Sequence, residues 1–126
     1  MKLNLDSFRT DHFLIKSHNS DSIQVNDLSF SQSVIVCLDQ APQLWTIDSI
    51  SKLTTIETSA LLQDKDPEIV LIGTGKKHVF PSAATLIPLL EANIGYEVMD
   101  TAAACRTYNV LAGEGRRVVA GLILPG

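Results

Sequence analysis

Strand-like and helix-like segments alternate three times in the second half of this chain, and this alternation limits the possible folds more than any other feature. Buried-strand patterns occur at residues 68–73, 96–99 and 117–124, each preceded by a segment with helical signals. In such an order the helices form right-handed crossovers between parallel strands and pack against the sheet. The pattern therefore predicts an α/β fold with a largely parallel sheet covered by helices.

Each of the three predicted helices begins at a side chain suited to accept a hydrogen bond from a backbone amide of the first turn. Glu57, three residues after Thr54, completes the pattern of a capping box. Glycines that can adopt a left-handed conformation follow the second and third helices, at Gly95 and Gly113. The predicted N-caps and helices are Thr54 for residues 54–63, Ser82 for residues 83–93 and Asp100 for residues 101–111.

Short β-strands dominate the first third of the chain. Strand-like segments at 13–15, 22–25 and 33–38 are separated by Asn, Asp and Ser clusters, which predicts closely spaced strands that pair antiparallel. The continuous apolar run at 34–38 indicates a strand covered on both faces. The expected architecture is three-layer α/β: a mixed central sheet, flanking helices and an additional N-terminal antiparallel β unit. One domain over residues 1–126 is expected, with residues 1–12 as a less ordered extension.

Charge and hydropathy argue against nucleic-acid binding and membrane insertion. Ten basic and fourteen acidic residues give a net charge of −4, whereas proteins that bind the nucleic-acid backbone are basic. No apolar run approaches the roughly 18 residues of a membrane helix. The N-terminus becomes polar at Asn4 and Asp6 and lacks the pattern of a signal or transit peptide, so a cytoplasmic location is expected.

The glycine-containing loop Gly73-Thr74-Gly75 is the first candidate site. It follows a buried strand, where glycines allow a sharp turn or let backbone amides approach an anion. The complete dinucleotide-binding and phosphate-loop motifs are absent. A structural turn and a contact to an anion or small ligand are both open interpretations.

The second candidate site follows the next strand and contains four polar residues: Asp100, Arg106, Tyr108 and Asn109. In open α/β sheets, ligands bind beyond the carboxyl ends of the strands, and this segment and the glycine loop both lie at such ends if the strands are parallel. This convergence predicts a pocket. The structural alternative is that Asp100 is only an N-cap and that the other side chains satisfy nearby backbone groups or carboxylates.

The cysteines and histidines form no recognisable metal-binding or catalytic motif. Cys37 and Cys105 are too far apart for a CxxC motif and indicate neither a disulfide framework nor a zinc site. Cys105 as a nucleophile would need a base, for which His78 is the only candidate, and a buried inert thiol is the favoured interpretation. His12 and His18 are expected at the surface. No metal or cofactor is predicted.

Two further sets of residues allow more than one interpretation. The first set is basic and could form either a positive patch or a solvated rim: Lys76, Lys77, Arg106, Arg116 and Arg117. The second set is aromatic and is expected to pack in the core instead of stacking on a ligand: Phe30, Trp45 and Phe80.

The chain resembles a small domain family that includes the mitochondrial complex I (NADH dehydrogenase) assembly factor three and the adipogenesis-associated Mth-domain-containing protein. The resemblance spans residues 13–124, and the part after residue 71 is specific. It is carried by I-G-T-G at 72–75, F-P at 80–81, G-Y-E-V-M-D-T-A-A-A-C-R-T-Y-N-V-L at 95–111 and E-G-R-R-V at 114–118, with Trp45 upstream. The resemblance implies a three-layer α/β fold with a mixed sheet and an added β layer, a bacterial single-domain member, and no established reaction or catalytic residues.

Two functional hypotheses follow. The first is a cytoplasmic, non-enzymatic interaction or assembly-factor domain that contacts another protein, with a role in respiratory complex assembly borrowed from the mitochondrial relative. The second is a protein that binds a small molecule or anion in a pocket between the glycine loop and the Asp100 segment, either as a binding protein or as an enzyme. A homodimer is also expected, because the domain is small and apolar and symmetric dimers are the commonest oligomers.

Overall fold

A computed structural model of the protein describes residues 12–126. Within this range, two sheets, three α-helices and two short 3-10 turns are present. The strands are β1 (Ile15–His18), β2 (Ile23–Val25), β3 (Leu28–Phe30), β4 (Val34–Cys37), β5 (Gln43–Leu44), β6 (Ile69–Gly73), β7 (Gly95–Met99) and β8 (Val118–Leu122). The helices are α1 (Thr55–Ala60), α2 (Ile87–Glu91) and α3 (Thr101–Gly113), and the 3-10 turns are Ile50–Lys52 and Ala83–Leu86.

The central sheet is mixed, with strand order β5-β4-β8-β6-β7. β6 runs parallel to both β7 and β8, and the chain between these strands contains α2 and α3. β4 runs antiparallel to β8 and to the two-residue edge strand β5. The parallel part confirms the prediction from the strand–helix alternation, and the whole sheet confirms the mixed architecture.

The N-terminal antiparallel unit is the three-stranded sheet β1-β2-β3. β1 begins at Ile15, two residues later than predicted, and β3 was not predicted. The two-residue turn before β3 contains Asn26 with a φ of 51°, the left-handed conformation that tight hairpins require and that Asn tolerates. The turn signal was therefore present in the sequence, although β3 is too short and exposed to show an apolar alternation.

Apolar side chains cover both faces of the central sheet, which explains why its inner strands are continuous apolar runs. One face packs with Trp45, which follows β5, and with Leu61, Leu86 and Leu89 of the helical layer formed by α1, α2 and the 3-10 turns. The other face packs with α3 and the N-terminal sheet. In β4, all four residues are buried, as the run at 34–38 predicted. The three-layer arrangement is thus the predicted one.

The capping box at Thr54 is present. The Thr54 backbone amide donates to Glu57 Oε1 at 2.7 Å, and the Thr54 hydroxyl accepts from the Ile56 amide at 3.2 Å. The two bonds satisfy donors that a helix start leaves unpaired. The Thr54 hydroxyl and backbone amide also lower the pKa of Glu57 by hydrogen bonding. The helix is shorter than predicted and ends at Ala60.

The boundaries of the other two helices correct the predictions. The segment from Ala83 is a 3-10 turn, and the α-helix begins only at Ile87, because Pro88 lacks an N–H and fits best in a first turn. Ser82 makes no side-chain cap. Gly95 starts β7, and Asn93, with a φ of 60°, is the left-handed residue after α2.

The third helix also ends later than predicted. Gly113 is its last residue, and the positive φ occurs at Gly115, at 80°. The predicted N-cap Asp100 is correct: its Oδ1 accepts from the Ala103 amide at 2.9 Å. No helix within residues 12–126 is long and apolar enough to cross a membrane. The prediction of a less ordered N-terminal extension falls, except for His12, outside the described residues.

Candidate functional site

The Gly73-Thr74-Gly75 loop is fastened to the start of α3 by Thr101. The Thr101 hydroxyl accepts from the Gly75 amide at 2.8 Å and donates to the Ile123 carbonyl at 2.5 Å. The Thr101 amide donates to the Gly75 carbonyl at 2.9 Å. Thr101 is fully buried, so a single side chain joins the ends of β6 and β8 to α3.

Gly73 allows the start of α3 to approach β6 closely. A Cβ atom at Gly73 would lie 2.9 Å from Thr101 Oγ1 and 3.0 Å from Thr101 Cα, closer than real side chains pack. The Thr74 hydroxyl donates to the Lys77 carbonyl and accepts from the Val79 amide at 3.1 Å. These internal contacts favour the structural interpretation of the loop.

Tyr108 and Asn109 connect α3 to the first strand, more than 90 residues away in sequence. The buried Tyr108 hydroxyl donates to the Phe13 carbonyl at 2.7 Å. Asn109 Oδ1 accepts from the Ile15 amide at 2.9 Å, and Asn109 Nδ2 donates to the Ile15 carbonyl at 2.7 Å. Because β1 is an edge strand, the Asn109 amide takes the place of a neighbouring strand. Burial raises the pKa of Tyr108 well above its ordinary value.

Arg106 differs from its neighbours because its side chain is exposed. It lines a groove of about 370 Å³ between α3 and β1, together with Cys105 and Asn109 from the helix. The other side of this groove is formed by β1 and not by the glycine loop: Ile15, Lys16, Ser17 and His18.

The structure therefore places the predicted site residues in two separate regions. Gly73, Thr74, Gly75 and Asp100 lie at the carboxyl ends of β6 and β7, and Arg106, Tyr108 and Asn109 lie along α3 facing the N-terminal segment. Sequence reasoning missed Thr101 and Lys16. A buried threonine at the first helical position gives no periodic signal, and a lone lysine in a short strand is indistinguishable from a solvated one. His18, expected at the surface, is half-buried in the groove.

Both cysteines are buried and unbridged, as expected. Burial raises the pKa of the Cys105 thiol from 9.0 to about 12 and also raises that of Cys37. At pH 8 the thiol of Cys105 is therefore held in its protonated, unreactive form.

In a Cys37→Ser variant, Cys105 is expected to react with a thiol-specific disulfide reagent only when the protein unfolds. The measurement compares labelling rates at pH 8 in buffer and in denaturing urea, with Cys105→Ser as the control that reports Cys37 alone. Labelling of folded Cys105 at the free-thiol rate would show that it is an accessible, activated nucleophile.

The basic residues do not form one patch. Lys76 and Lys77 follow the carboxyl end of β6, whereas Arg116 and Arg117 precede the parallel strand β8 and lie at the opposite end of the sheet. The Arg117 amide and the Arg116 guanidinium bond Glu68 at 3.1 and 3.0 Å and lower the pKa of this carboxyl.

Among the aromatic residues, the core prediction is correct for Trp45 and wrong for Phe80. Trp45 is buried, and its indole N–H donates to the Glu57 carbonyl at 3.0 Å. Phe30 is partly buried against the core. Phe80 is 67% exposed, and it belongs to the irregular segment 76–80 after the glycine loop, in which every residue is exposed.

Trp45 also lines a second groove, of about 520 Å³, together with Asp48 and Lys52. None of the predicted site residues lies there, and Asp48 and Lys52 form an ion pair at 3.0 Å. No group of three or more metal-ligating side chains is present between residues 12 and 126.

The fold and its contacts define a small three-layer α/β domain in which an N-terminal antiparallel sheet is fastened to the longest helix. The chain belongs to the family described as a protein of unknown function (DUF498/DUF598), whose model matches residues 15–123. This confirms the family resemblance identified from the segments after residue 71.

Named relatives and a solved structure agree with this assignment. The chain is 36% identical over 73 residues to the 13 kDa major membrane protein of Francisella tularensis, covering 56% of this chain and 59% of that one. It is 37% identical over 92 residues to mouse NADH dehydrogenase (ubiquinone) 1 alpha subcomplex assembly factor 3, covering 71% and 49%. A crystal structure from Bordetella parapertussis is 31% identical, with a TM-score of 0.85 over 90% of this chain and 96% of that chain. The chain thus spans about half the length of the Francisella and mouse relatives.

Proposed function

We propose that this protein is a protein-binding domain that acts in the assembly of a multisubunit complex, and that the complex is the respiratory NADH dehydrogenase. The observation that carries the proposal is an exposed apolar surface on the helical layer. The name of the mouse relative, which is an assembly factor of NADH dehydrogenase, supports the choice of complex.

The surface, called here the helical apolar face, consists of Ile56, Phe80, Ile87 and Leu90. Ile56 is 75% exposed and Phe80 67%. On the 3-10 turn and α2, Leu86 and Leu89 already supply the buried contacts, so Ile87 and Leu90 are apolar beyond what the fold uses. The two helices α1 and α2 are neighbours in the same layer, which supports grouping Ile56 with Ile87 and Leu90. Phe80 is included because it lies in the loop that leads into Ala83.

The energetic argument favours a partner on this face. Five of the eight large hydrophobic residues that are exposed in the described chain fall between residues 56 and 90. Full burial of one such side chain is worth about 1.5–3 kcal/mol, and large contiguous apolar patches on a protein surface mark interaction sites. An apolar protein surface, for example a subunit before its incorporation, is the chemistry that this face fits.

The proposal predicts that Ile56→Ser/Leu90→Ser fails to support assembly. In cells of the source organism that lack the gene, we expect the amount of assembled NADH dehydrogenase on native gels to fall, and wild-type protein to restore it. The double variant is expected to restore less than about a third, because each serine removes a large part of the binding energy. Val110→Ser is the matched control, since Val110 is 59% exposed on α3, outside the helical apolar face.

Each outcome bears on a different part of the proposal. Unchanged NADH dehydrogenase in the deletion strain would exclude this complex as the target. A decrease that the double variant repairs as well as wild type would exclude the helical apolar face. Circular dichroism melts of both variants establish that they are folded, and exposed positions of this kind change stability by only about 0.5 kcal/mol.

Small-molecule or anion binding is a second candidate, favoured by the groove beside Arg106 and Asn109. The glycine loop and Asp100, which the sequence had included in that site, are engaged in contacts of the fold. The cytoplasmic location, the homodimer and the non-enzymatic role stay predictions.

A further inference from the structure

Three basic side chains share the groove between β1 and α3, called here the basic groove. Its lining residues include Lys16, His18 and Arg106 and contain no Asp or Glu. This is unexpected in a chain with a net charge of −4, because acidic residues outnumber basic ones over the whole sequence. The local excess of positive charge attracts anions to this place.

The charges of the basic groove are not neutralised by the described part of the chain. The ion pairs within residues 12–126 join Lys52 to Asp48 and Arg116 to Glu68. Lys16 and Arg106 are exposed and have no carboxylate within 4 Å in that range. In contrast, the larger groove beside Trp45 contains its own acid and base.

The shape and polarity of the basic groove fit a small ligand. Its volume, about 370 Å³, lies within the range of small-molecule sites. Ile15 and Cys105 also line the groove and are themselves buried. The Ser17 hydroxyl makes only a long bond, 3.3 Å, to Gln24, so it is free to reorient toward a ligand.

Asn109 holds the two walls of the basic groove together. Its double hydrogen bond to Ile15 connects α3 to the strand that carries Lys16 and His18. The basic side chains are therefore presented from two elements that the Asn109 side chain joins, so the relative position of the two walls is set before a ligand binds.

We infer that the basic groove binds a small molecule that carries a phosphomonoester. A phosphate has two negative charges and several acceptor oxygens, which match the chemistry of the Arg106 guanidinium, the Lys16 ammonium and the Ser17 hydroxyl that line this groove. This binding site is separate from the helical apolar face and does not depend on the proposed assembly function.

The test is a titration of the ¹⁵N-labelled full chain with inorganic phosphate, followed by NMR amide shifts at constant low ionic strength. Saturable shifts are expected at Lys16, Ser17, His18 and Arg106. The Lys16→Gln/Arg106→Gln variant is expected to bind at least about tenfold more weakly, because two charge-assisted contacts are lost. Lys76→Gln removes an exposed lysine outside the groove, and its affinity should stay within about twofold of wild type.

Unsaturable shifts, shifts spread over the whole surface, or equal affinities of wild type and the Lys16→Gln/Arg106→Gln variant would overturn the inference. Glycerol 3-phosphate and vesicles containing phosphatidic acid separate the sources of the phosphate. Binding of glycerol 3-phosphate supports a free small ligand, whereas binding of the vesicles alone would assign the groove to a lipid surface and overturn the small-molecule site. The amide spectra also show whether the variant is folded.

Discussion

Thr101→Val is expected to lower the free energy of unfolding by about 3 kcal/mol. Valine has nearly the same shape as threonine but lacks the hydroxyl that donates to Ile123 and accepts from Gly75. Both partners are buried backbone groups, and each buried polar group without a partner costs about 1–3 kcal/mol. Equilibrium unfolding in urea, followed by circular dichroism, measures the change.

Two controls separate the hydroxyl from other effects of this substitution. Thr101→Ser keeps the hydroxyl and is expected to lose about 1 kcal/mol, the value of one buried methyl group. Thr85→Val removes an exposed hydroxyl bond to Ser82 and should change stability by about 0.5 kcal/mol or less. If Thr101→Val were no more destabilising than Thr85→Val, the proposed fastening of the loop to α3 would be wrong.

The layers of the fold could be predicted from the sequence because they follow from local patterns. The alternation after residue 54 implies parallel strands with crossover helices, and β6, β7 and β8 have that arrangement. The caps at Thr54 and Asp100 depend on residues within one helical turn, so they were also accessible.

The elements that the sequence did not show are those without a local signal. β5 has two residues and β3 three, too few to form a recognisable alternation. The late start of α2 depends on Pro88, and the left-handed residues fall at Asn93 and Gly115, where the chain leaves each helix. Such choices between adjacent candidates are decided by tertiary packing.

In the candidate site, too, only the features with a local sequence signal could be predicted. The sequence identified Arg106, Tyr108 and Asn109 as unusual on an otherwise small and apolar helix. Their partners lie about 90 residues away, at Phe13 and in β1. Local patterns cannot indicate such pairings. Only the structure shows that Tyr108 and Asn109 hold the N-terminal segment, whereas Arg106 lines the groove.

The last prediction contrasts two neighbouring residues of α3, Asn109 and Arg106. Asn109→Leu is expected to lower the free energy of unfolding by about 2 kcal/mol, because it leaves the partly buried amide and carbonyl of Ile15 unpaired. Arg106→Ala, one turn earlier on the same helix, should change it by no more than about 0.5 kcal/mol, since the side chain is exposed.

Hydrogen exchange identifies where the stability is lost. In Asn109→Leu, amides of β1 and β2 are expected to exchange faster than those of β6 and β8, because the N-terminal sheet opens locally once its edge is unfastened. Unfolding in urea gives the global values for both variants. Equal destabilisation by Arg106→Ala would make Arg106 a structural brace and remove it from the basic groove. Unchanged exchange in β1 and β2 of Asn109→Leu would instead show that packing on Tyr108, and not the amide pair, holds the N-terminal sheet in place.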